Sequence, residues 1–409
     1  MSNEIFFTPE TRNALLYPEM VRTRCLKIFD LADRGHTHFN LHLDKLEDAA
    51  SFVVSVIKKN YPTLKIPIHS RLGHFNIKRD RVAELLDMFK NETKDPKEVA
   101  RKFFDLIVVS VLLDAGSGVE WKYVEEDTGL ILRRSEGLAV AGLYMFLQGD
   151  FSHDGSSSAT FLGLKNFSAQ KLTEGMQVSQ ANPLVGTEGR AALLRSLGST
   201  IEKRSEFINQ RPGGLIDYIE ANFGKIISGS DLLNLILKTL GPIWPLRLNL
   251  GGINMGDTWI YSPWVSGEKI DTECLIPFHK LSQWLTYSLV APLSMAGIEV
   301  SHLDSLTGLP EYRNGGLFLD SGVISLKDPN WANGTYTPSD LLIIEWRALT
   351  VSLLDKIAVE VQNQLGLSPQ NFSLGKVLEG GTWSAGRELA AKYRDGRPPF
   401  VINSDGTVF

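Results

Sequence analysis

The chain has 409 residues, of which 43% are hydrophobic and 22% are charged, and its formal net charge is −5. This balance is typical of a folded globular protein, and the slightly acidic charge argues against the broad basic surface of a nucleic-acid-binding protein. Two cysteines are too few for a disulfide framework, and no apolar run approaches the ~20 residues of a membrane span. The first residues, MSNEIFFTPETRN, lack a basic region followed by an apolar stretch, so we expect no signal peptide and a cytoplasmic location.

Helical periodicity dominates the chain from its start. Apolar residues recur at three- and four-residue spacing in 10–32 and 44–60, and the pattern continues in later segments. The further predicted helices are 80–91, 95–114, 136–148, 186–208, 229–240, 277–297, 338–366 and 384–394. We therefore expect a mainly α fold made of one or more compact helical domains.

Strand patterns are fewer and short. In 121–134 the turn Asp127-Thr128-Gly129 separates two alternating runs, which predicts a β-hairpin. Residues 244–264 predict a second hairpin. We find no internal repeat, and the best candidate break is the short segment 149–160. We expect residues 1–409 to form a single unit, with a possible subdivision into an N-terminal helical part, 1–150, and a C-terminal helical part, 160–409, that carries most of the site.

Carboxylates lie beside glycine turns and tryptophans at several positions. Asp114 is followed by glycines and by Trp121, and Asp257 precedes Trp259. Glycines close helices and aromatic residues fill cores, so a purely structural interpretation stays open. Aromatic faces also hold planar groups, and carboxylates bind hydroxyls and stabilise positive charge at an anomeric carbon. The combination suits a sugar or nucleoside pocket.

Histidines and arginines give a second set of candidates. The segment IPIHSRLGHF places His69 and Arg71 in an apolar frame, where they suit an anionic or polyhydroxyl ligand. A structural histidine is an equally open interpretation. The spacings of His36, His38 and His42, and of His69 and His74, are compatible with zinc but form no recognised ligand signature. Phosphate-loop and dinucleotide motifs are absent from the sequence. We predict no metal and no cofactor.

Two predicted helices carry unusual polar residues. Lys280, Gln283 and Trp284 share one helix face in FHKLSQWLTYSL. Glu345 and Arg347 stand two residues apart in IIEWRALT, so they do not face each other and each needs a different partner. For Arg347 we expect Glu311 or Asp320.

Several sequence blocks of the chain resemble the fungal and bacterial uracil-catabolism (URC pathway) family, long described as a domain of unknown function. The blocks are SVLLDAGSGVEWKY, RSEGLAVAGLYMF, RPGGLIDY, LGPIWPLRLNLGG, LTGLPEYRNGGLF, EWRALTVSLLD and LEGGTWSAGREL. The resemblance implies a role in a pathway that phosphoribosylates uracil, opens the ring and releases its nitrogen as urea.

A second similarity, to the queuosine-salvage nucleosidases, covers three blocks in the same order. Lys280 and Gln283 match F-x-K-R-A-Q, the segment beginning at Glu311 matches D-Y-R-V-P-Q, and Glu345 with Arg347 matches E-I-R-A. The resemblance implies a helix-rich glycosidase fold and a catalytic-type carboxylate at Glu311. It also implies that Arg313 and Glu345 hold the loop of that carboxylate.

Taken together, the residues and the resemblances predict an N-glycosidic hydrolase of a ring-opened pyrimidine ribonucleoside or nucleotide, a ribosylurea-like compound. The predicted catalytic residues are Glu311 and Asp257, one as charge stabiliser or nucleophile and the other as general base. The predicted substrate-binding residues are Asp114, Trp121, Trp259, Lys280, Gln283, Trp284, Arg313, His69 and Arg71, with Glu345 and Arg347 as structural support.

Two alternatives stay open: a metal-dependent amidohydrolase of the ureido group, and a non-catalytic partner of the ring-opening enzyme. The expected partner is a small-molecule substrate, with no nucleic acid and no membrane.

Overall fold

The computed structural model describes residues 5–114, 116–118, 120–267 and 269–403. The helices are α1 (Pro9–Ala14), α2 (Pro18–Asp33), α3 (Leu46–Asn60), α4 (Arg71–Phe75), α5 (Arg81–Glu92), α6 (Pro96–Leu112), α7 (Arg134–Leu147), α8 (Phe161–Lys165), α9 (Ala169–Gly175), α10 (Thr187–Lys203), α11 (Leu215–Phe223), α12 (Gly229–Leu240), α13 (Lys280–Met295), α14 (Tyr312–Asp320), α15 (Leu341–Leu365), α16 (Leu374–Val377) and α17 (Trp383–Arg394). This confirms the mainly α fold.

The strands are short. They are β1 (Ile5–Phe6), β2 (Phe39–Leu41), β3 (Lys122–Val124), β4 (Ile131–Arg133), β5 (Ile226–Ser228), β6 (Asn249–Leu250), β7 (Ile253–Asn254), β8 (Thr258–Ile260), β9 (Ile270–Asp271), β10 (Leu275–Pro277), β11 (Glu299–Ser301), β12 (Ile324–Leu326), β13 (Thr335–Tyr336) and β14 (Val401–Ile402). Within the described residues they form two-stranded pairs, which are parallel in β1–β9, β5–β11 and β13–β14 and antiparallel in the others.

The first predicted hairpin is confirmed, because β3 and β4 pair with Tyr123 opposite Leu132. The second is wrong in its extent. Only β6 and β7 form a hairpin there, while β8 pairs with β10, with Trp259 opposite Ile276. The helix expected over 10–32 is divided into α1 and α2, because Pro18 lacks the N–H that a continuous helix needs and instead occupies the first turn of α2.

The described residues divide into two compact units whose segments alternate along the chain. The first unit takes residues from 5–69, 246–283 and 302–403, and the second takes residues from 70–245 and 284–301. Within those residues, no helix combines the length and the apolar character needed to cross a bilayer.

The core of the first unit lies between α2, α15 and β10. Val21 and Ile28 of α2 pack with Ile344 and Val351 of α15 and with Ile276 of β10, and all five are fully buried. Burial of large aliphatic side chains contributes ~1.5–3 kcal/mol each, so this packing fixes α15 firmly. The polar residues of α15 are consequently held in one place.

Candidate functional site

Asp257 and Arg347 form a buried, two-pronged ion pair in the first unit. The Arg347 Nη1 atom donates to Asp257 Oδ1 over 2.8 Å, and Nη2 donates to Oδ2 over 2.6 Å. The guanidinium also lies 4.1 Å from the ring centre of Phe278. Such parallel bonds are the strongest arginine–carboxylate geometry. The expectation that Arg347 pairs with Glu311 or Asp320 is therefore wrong, and Asp320 pairs instead with Arg394.

Two further donors complete the shell of Asp257. The Trp259 indole N–H donates to Oδ1 over 2.7 Å, and the Lys280 backbone N–H donates to Oδ2 over 3.1 Å. Burial raises the pKa of Asp257, but Arg347 and these two hydrogen bonds outweigh burial, so the pKa is lowered overall. Each oxygen already accepts two bonds. An ionised carboxylate in this state serves better as a fixed negative charge than as a proton acceptor.

Glu345 binds a different set of partners from Arg347, as its two-residue offset on α15 predicts. It accepts from both the backbone N–H and the Nδ1 atom of His38, each over 2.7 Å. The Tyr261 hydroxyl donates to its other oxygen over 2.9 Å. Burial, followed by the neighbouring Glu345 charge, raises the pKa of Tyr261. Glu345 thus joins α15 to the β2 segment and to the end of β8.

Glu311 caps the N-terminus of α14. Its carboxylate accepts from the backbone N–H groups of Arg313 and Asn314 over 2.8 and 2.6 Å. A helix N-terminus favours negative charge, since its first N–H groups have no partner within the helix. Glu311 is 9% exposed, so its carboxylate is fixed and largely shielded from water. Glu311 and Asp257 lie in the same unit, and each binds its own donors.

The segment that leads to Glu311 is anchored by Gln283. Its amide oxygen accepts from the Thr307 N–H over 2.9 Å, and its amide nitrogen donates to the Thr307 hydroxyl over 2.7 Å. Arg22 adds bonds to the carbonyl groups of Ser305 and Leu306. Within α14, the Gly315 carbonyl accepts from the Trp346 indole N–H over 3.1 Å. All three blocks of the queuosine-salvage similarity therefore lie in one unit. Trp346 of the third block contacts Gly315 of the second directly, and Gln283 of the first contacts Thr307, four residues before the second.

Arg313 lies against aromatic rings. Its guanidinium carbon is 4.7 Å from the ring centre of Trp383 and 5.3 Å from that of Tyr312. Arg387 approaches the same Trp383 ring at 5.8 Å. Glu345 binds His38 and Tyr261 rather than Arg313, so Arg313 and Glu345 do not hold the Glu311 loop as a contacting pair.

His69 pairs with Glu379, over 2.6 Å between Nδ1 and a carboxylate oxygen. Glu379 lies in a π-helical turn, Leu378–Thr382, which directly precedes Trp383. Burial, followed by the Glu379 charge, raises the pKa of Tyr61 to about 12. His69, for which we predicted an anion-binding role, thus pairs with a carboxylate. The sequence did not indicate this partner.

The second unit has its own polar cluster around Arg71, which is fully buried. Arg71 Nη1 lies 2.8 Å from Asp114 and 3.0 Å from both the Ser135 hydroxyl and His74 Nδ1, and Nε donates to Ser110. The Ser135 hydroxyl donates to Asp114 over 2.6 Å. Burial lowers the pKa of Arg71, and Asp114 opposes this effect.

The remaining predicted residues of the second unit are tryptophans. Trp121 is fully buried and donates its indole N–H to the Met176 carbonyl over 2.9 Å, which are the contacts of a core residue. Trp284 is also buried, with its ring centre 5.5 Å from that of His74. The predicted site residues are thus distributed over both units.

The sequence did not point to Tyr261 or Ser135, and Trp383, one of the tryptophans that suit a nucleoside pocket, was not among the predicted substrate-binding residues. Trp383 had a usable signal, since it follows a Gly-Gly pair and a glutamate in LEGGTW. Tyr261 and Ser135 stand in ordinary strand and helix-start patterns, so nothing local marked them. Within the described ranges, no group of three or more His, Cys, Asp or Glu side chains is arranged to hold a metal ion.

Comparison with known proteins identifies close relatives along almost the entire chain. The family model described as "Protein of unknown function (DUF1688)" matches residues 14–409. "Uracil catabolism protein 4" of Lachancea kluyveri is 37% identical over 427 residues, covering 95% of this chain and 97% of that protein. "Protein urg3" of Schizosaccharomyces pombe (strain 972) is 39% identical over 415 residues, covering 98% of this chain and 99% of that protein. These matches confirm the resemblance of the sequence blocks to the uracil-catabolism family.

Proposed function

Because the chain belongs to the DUF1688 family, and a near-full-length relative is named as a uracil catabolism protein, we propose that it acts in uracil catabolism. Its activity in this proposal is hydrolysis of an N-glycosidic bond. The substrate is a ring-opened pyrimidine ribonucleoside or nucleotide of the ribosylurea type, and the products are urea and ribose or ribose phosphate.

The observation that carries the proposal is that the three nucleosidase-like blocks lie in one unit, with contacts from the first and third on either side of Glu311 in the chain. Gln283 binds Thr307, four residues before Glu311, and Trp346 of the Glu345 block binds Gly315, four residues after it. The carboxylate between these anchors is held by two backbone N–H groups. A fixed carboxylate in a shielded position can stabilise the oxocarbenium-like charge that develops when a ribosyl C–N bond breaks.

The two carboxylates have different surroundings, which supports different roles. Both oxygens of Asp257 are occupied by Arg347, Trp259 and the Lys280 N–H, so Asp257 acts as a positioning residue. Glu311 has only backbone donors and no arginine within ion-pair distance among the described residues. In our proposal Glu311 is the charge stabiliser at the sugar.

The test is an NMR assay with ribosylurea and its 5′-phosphate that follows the anomeric proton and free urea. We expect Glu311→Gln to stay folded with reduced stability, because its NH₂ group faces one of the two backbone N–H groups. We expect it to lose at least ~100-fold in turnover, as for the loss of one acid–base or charge-stabilising group. Asp304→Asn is the matched control, since it removes an exposed carboxylate from the segment that leads to Glu311. Full activity in well-folded Glu311→Gln contradicts the proposed role.

The products distinguish the alternatives. Carbamate or ammonia released with the sugar still attached to nitrogen would identify an amidohydrolase of the ureido group. No turnover by the purified chain, together with stable co-purification of another pathway protein, would identify a non-catalytic partner.

A further inference from the structure

We infer that Arg313 binds an oxyanion, and that in the proposed substrate this group is the phosphate of the nucleotide form. The assignment of the group to the substrate rests on the proposed function. Arg313 is only 4% exposed, yet within the described ranges its guanidinium has no hydrogen bond and no ion pair. Its contacts there are with the rings of Trp383 and Tyr312.

Other buried arginines of the chain have carboxylate partners, in contrast to Arg313. Arg24 binds Glu273, Arg347 binds Asp257 and Arg81 binds Glu125 through both carboxylate oxygens. A buried charge without a counter-ion costs several kcal/mol, which is why buried arginines are paired. A bound anion would supply the partner that Arg313 lacks among the described residues.

The shape of the guanidinium explains why its aromatic contacts leave room for an anion. Stacking uses the faces of the planar group, whereas its N–H donors point outward in the plane. Those donors match two oxygens of a phosphate or carboxylate. The aromatic contacts therefore orient Arg313 without occupying its hydrogen-bonding edge.

The backbone of Arg313 is held on two sides, so its side chain starts from a fixed point. Its N–H donates to Glu311 over 2.8 Å. Its carbonyl oxygen lies so close to Gly386 of α17 that a Cβ atom at that glycine would overlap it. Glu311 does not serve as the counter-ion, because its oxygens face the backbone N–H groups of Arg313 and Asn314. Arg313 thus belongs to the same helix turn as the carboxylate to which we assign the sugar.

Binding can be measured without turnover, by calorimetry with ribose 5-phosphate, inorganic phosphate, acetate and neutral ribose. We expect saturable binding of one oxyanion class. Arg313→Gln should weaken it by about 10- to 100-fold, the range for losing a charge-assisted bidentate bond. Arg387→Gln is the matched control, since it removes an exposed charge above the same Trp383 ring, and it should change affinity less than about threefold. Preference for ribose 5-phosphate and inorganic phosphate over acetate supports the assignment to the nucleotide phosphate, whereas preference for acetate would contradict it.

Two results would overturn the inference: unchanged affinity in folded Arg313→Gln, or no oxyanion binding stronger than that of ribose. If Arg313→Gln fails to fold, Arg313→Lys keeps the charge without the planar fork, and unchanged affinity in that variant likewise counts against bidentate binding. The reaction itself is judged separately. Arg313-dependent binding without release of urea would leave the anion site standing and refute the proposed C–N hydrolysis.

Discussion

Replacement of Asp257 by asparagine tests whether the Asp257–Arg347 pair stabilises the first unit. The change is nearly isosteric, but it removes the negative charge opposite Arg347. Oδ1 accepts from Trp259 and Arg347, and Oδ2 accepts from the Lys280 N–H and Arg347. In either orientation of the asparagine amide, its NH₂ group would face two donors. Neither orientation of the amide avoids this conflict.

The size of the expected loss in stability follows from the burial of the two side chains and from the number of hydrogen bonds between them. Arg347 is 1% exposed and Asp257 is 9% exposed, so water cannot replace the lost acceptor. Breaking a buried ion pair by removing one partner costs about 3–5 kcal/mol. At ~2–4 °C per kcal/mol, the melting transition should fall by roughly 6–20 °C. Replacing both residues with apolar ones, in Asp257→Leu/Arg347→Met, should recover part of this loss, because no uncompensated charge remains.

The assay is urea unfolding monitored by circular dichroism. Because the chain has two units, the free energy of unfolding is taken from the first transition. Asp395→Asn is the control. Asp395 pairs with Arg397 at 3.1 Å, but the two side chains are 87% and 71% exposed, so we expect a change within ~0.5 kcal/mol. A loss below ~1 kcal/mol in Asp257→Asn would refute the reasoning, since it would mean that Arg347 does not depend on this carboxylate.

Two further predictions can also be tested by urea unfolding. Hydrogen bonds from Arg81, opposed by burial, hold the pKa of Glu125 at about 2, against an ordinary value of 4.5. Its contribution of roughly 2–3 kcal/mol is complete above pH ~4.5 and is lost as the pH falls toward 2, so urea midpoints should decline over that window and do so less in Glu125→Gln. Gly315→Ala would place a Cβ atom 2.5 Å from the ring of Trp346 and should cost about 1–3 kcal/mol in urea unfolding. Gly189→Ala, in an open helical position, should be neutral or stabilising, and equal effects of the two changes would contradict the packing argument.

Local sequence patterns predicted the helices because the residues that start and end a helix lie close together in the chain. Helix α6 begins after Asp95, whose side chain accepts from the Lys97 N–H, with Pro96 in the first turn, as the sequence around 95–114 indicates. The β3–β4 hairpin likewise follows from its own turn residues. The different partners of Glu345 and Arg347 were predicted on the same basis, since helical spacing alone separates them.

The identity of those partners was not predictable, because it depends on contacts between distant segments. Asp257 lies 90 residues before Arg347, and His38 lies 307 residues before Glu345. Several carboxylates satisfy the same local description, so spacing gives no reason to prefer Asp257 to Asp320. Trp121 shows the same limit, since an aromatic residue beside glycines fits a core as well as a pocket.

The segment from Pro310 to Gly316 shows how a short sequence can hold two opposite charges without joining them. At the start of a helix, residues two positions apart point in different directions, so Glu311 turns back to cap α14 while Arg313 stacks on Trp383. The two glycines that follow let neighbours approach closely. A Cβ at Gly315 would meet the Trp346 ring, and one at Gly316 would lie 2.8 Å from the Arg394 guanidinium. Small residues on the packed side of α14 thus fix the helix, and its first turn presents a carboxylate and a guanidinium that do not neutralise each other. In a structural salt bridge the two side chains would have paired with each other, whereas here Glu311 binds backbone N–H groups and Arg313 has only aromatic contacts among the described residues.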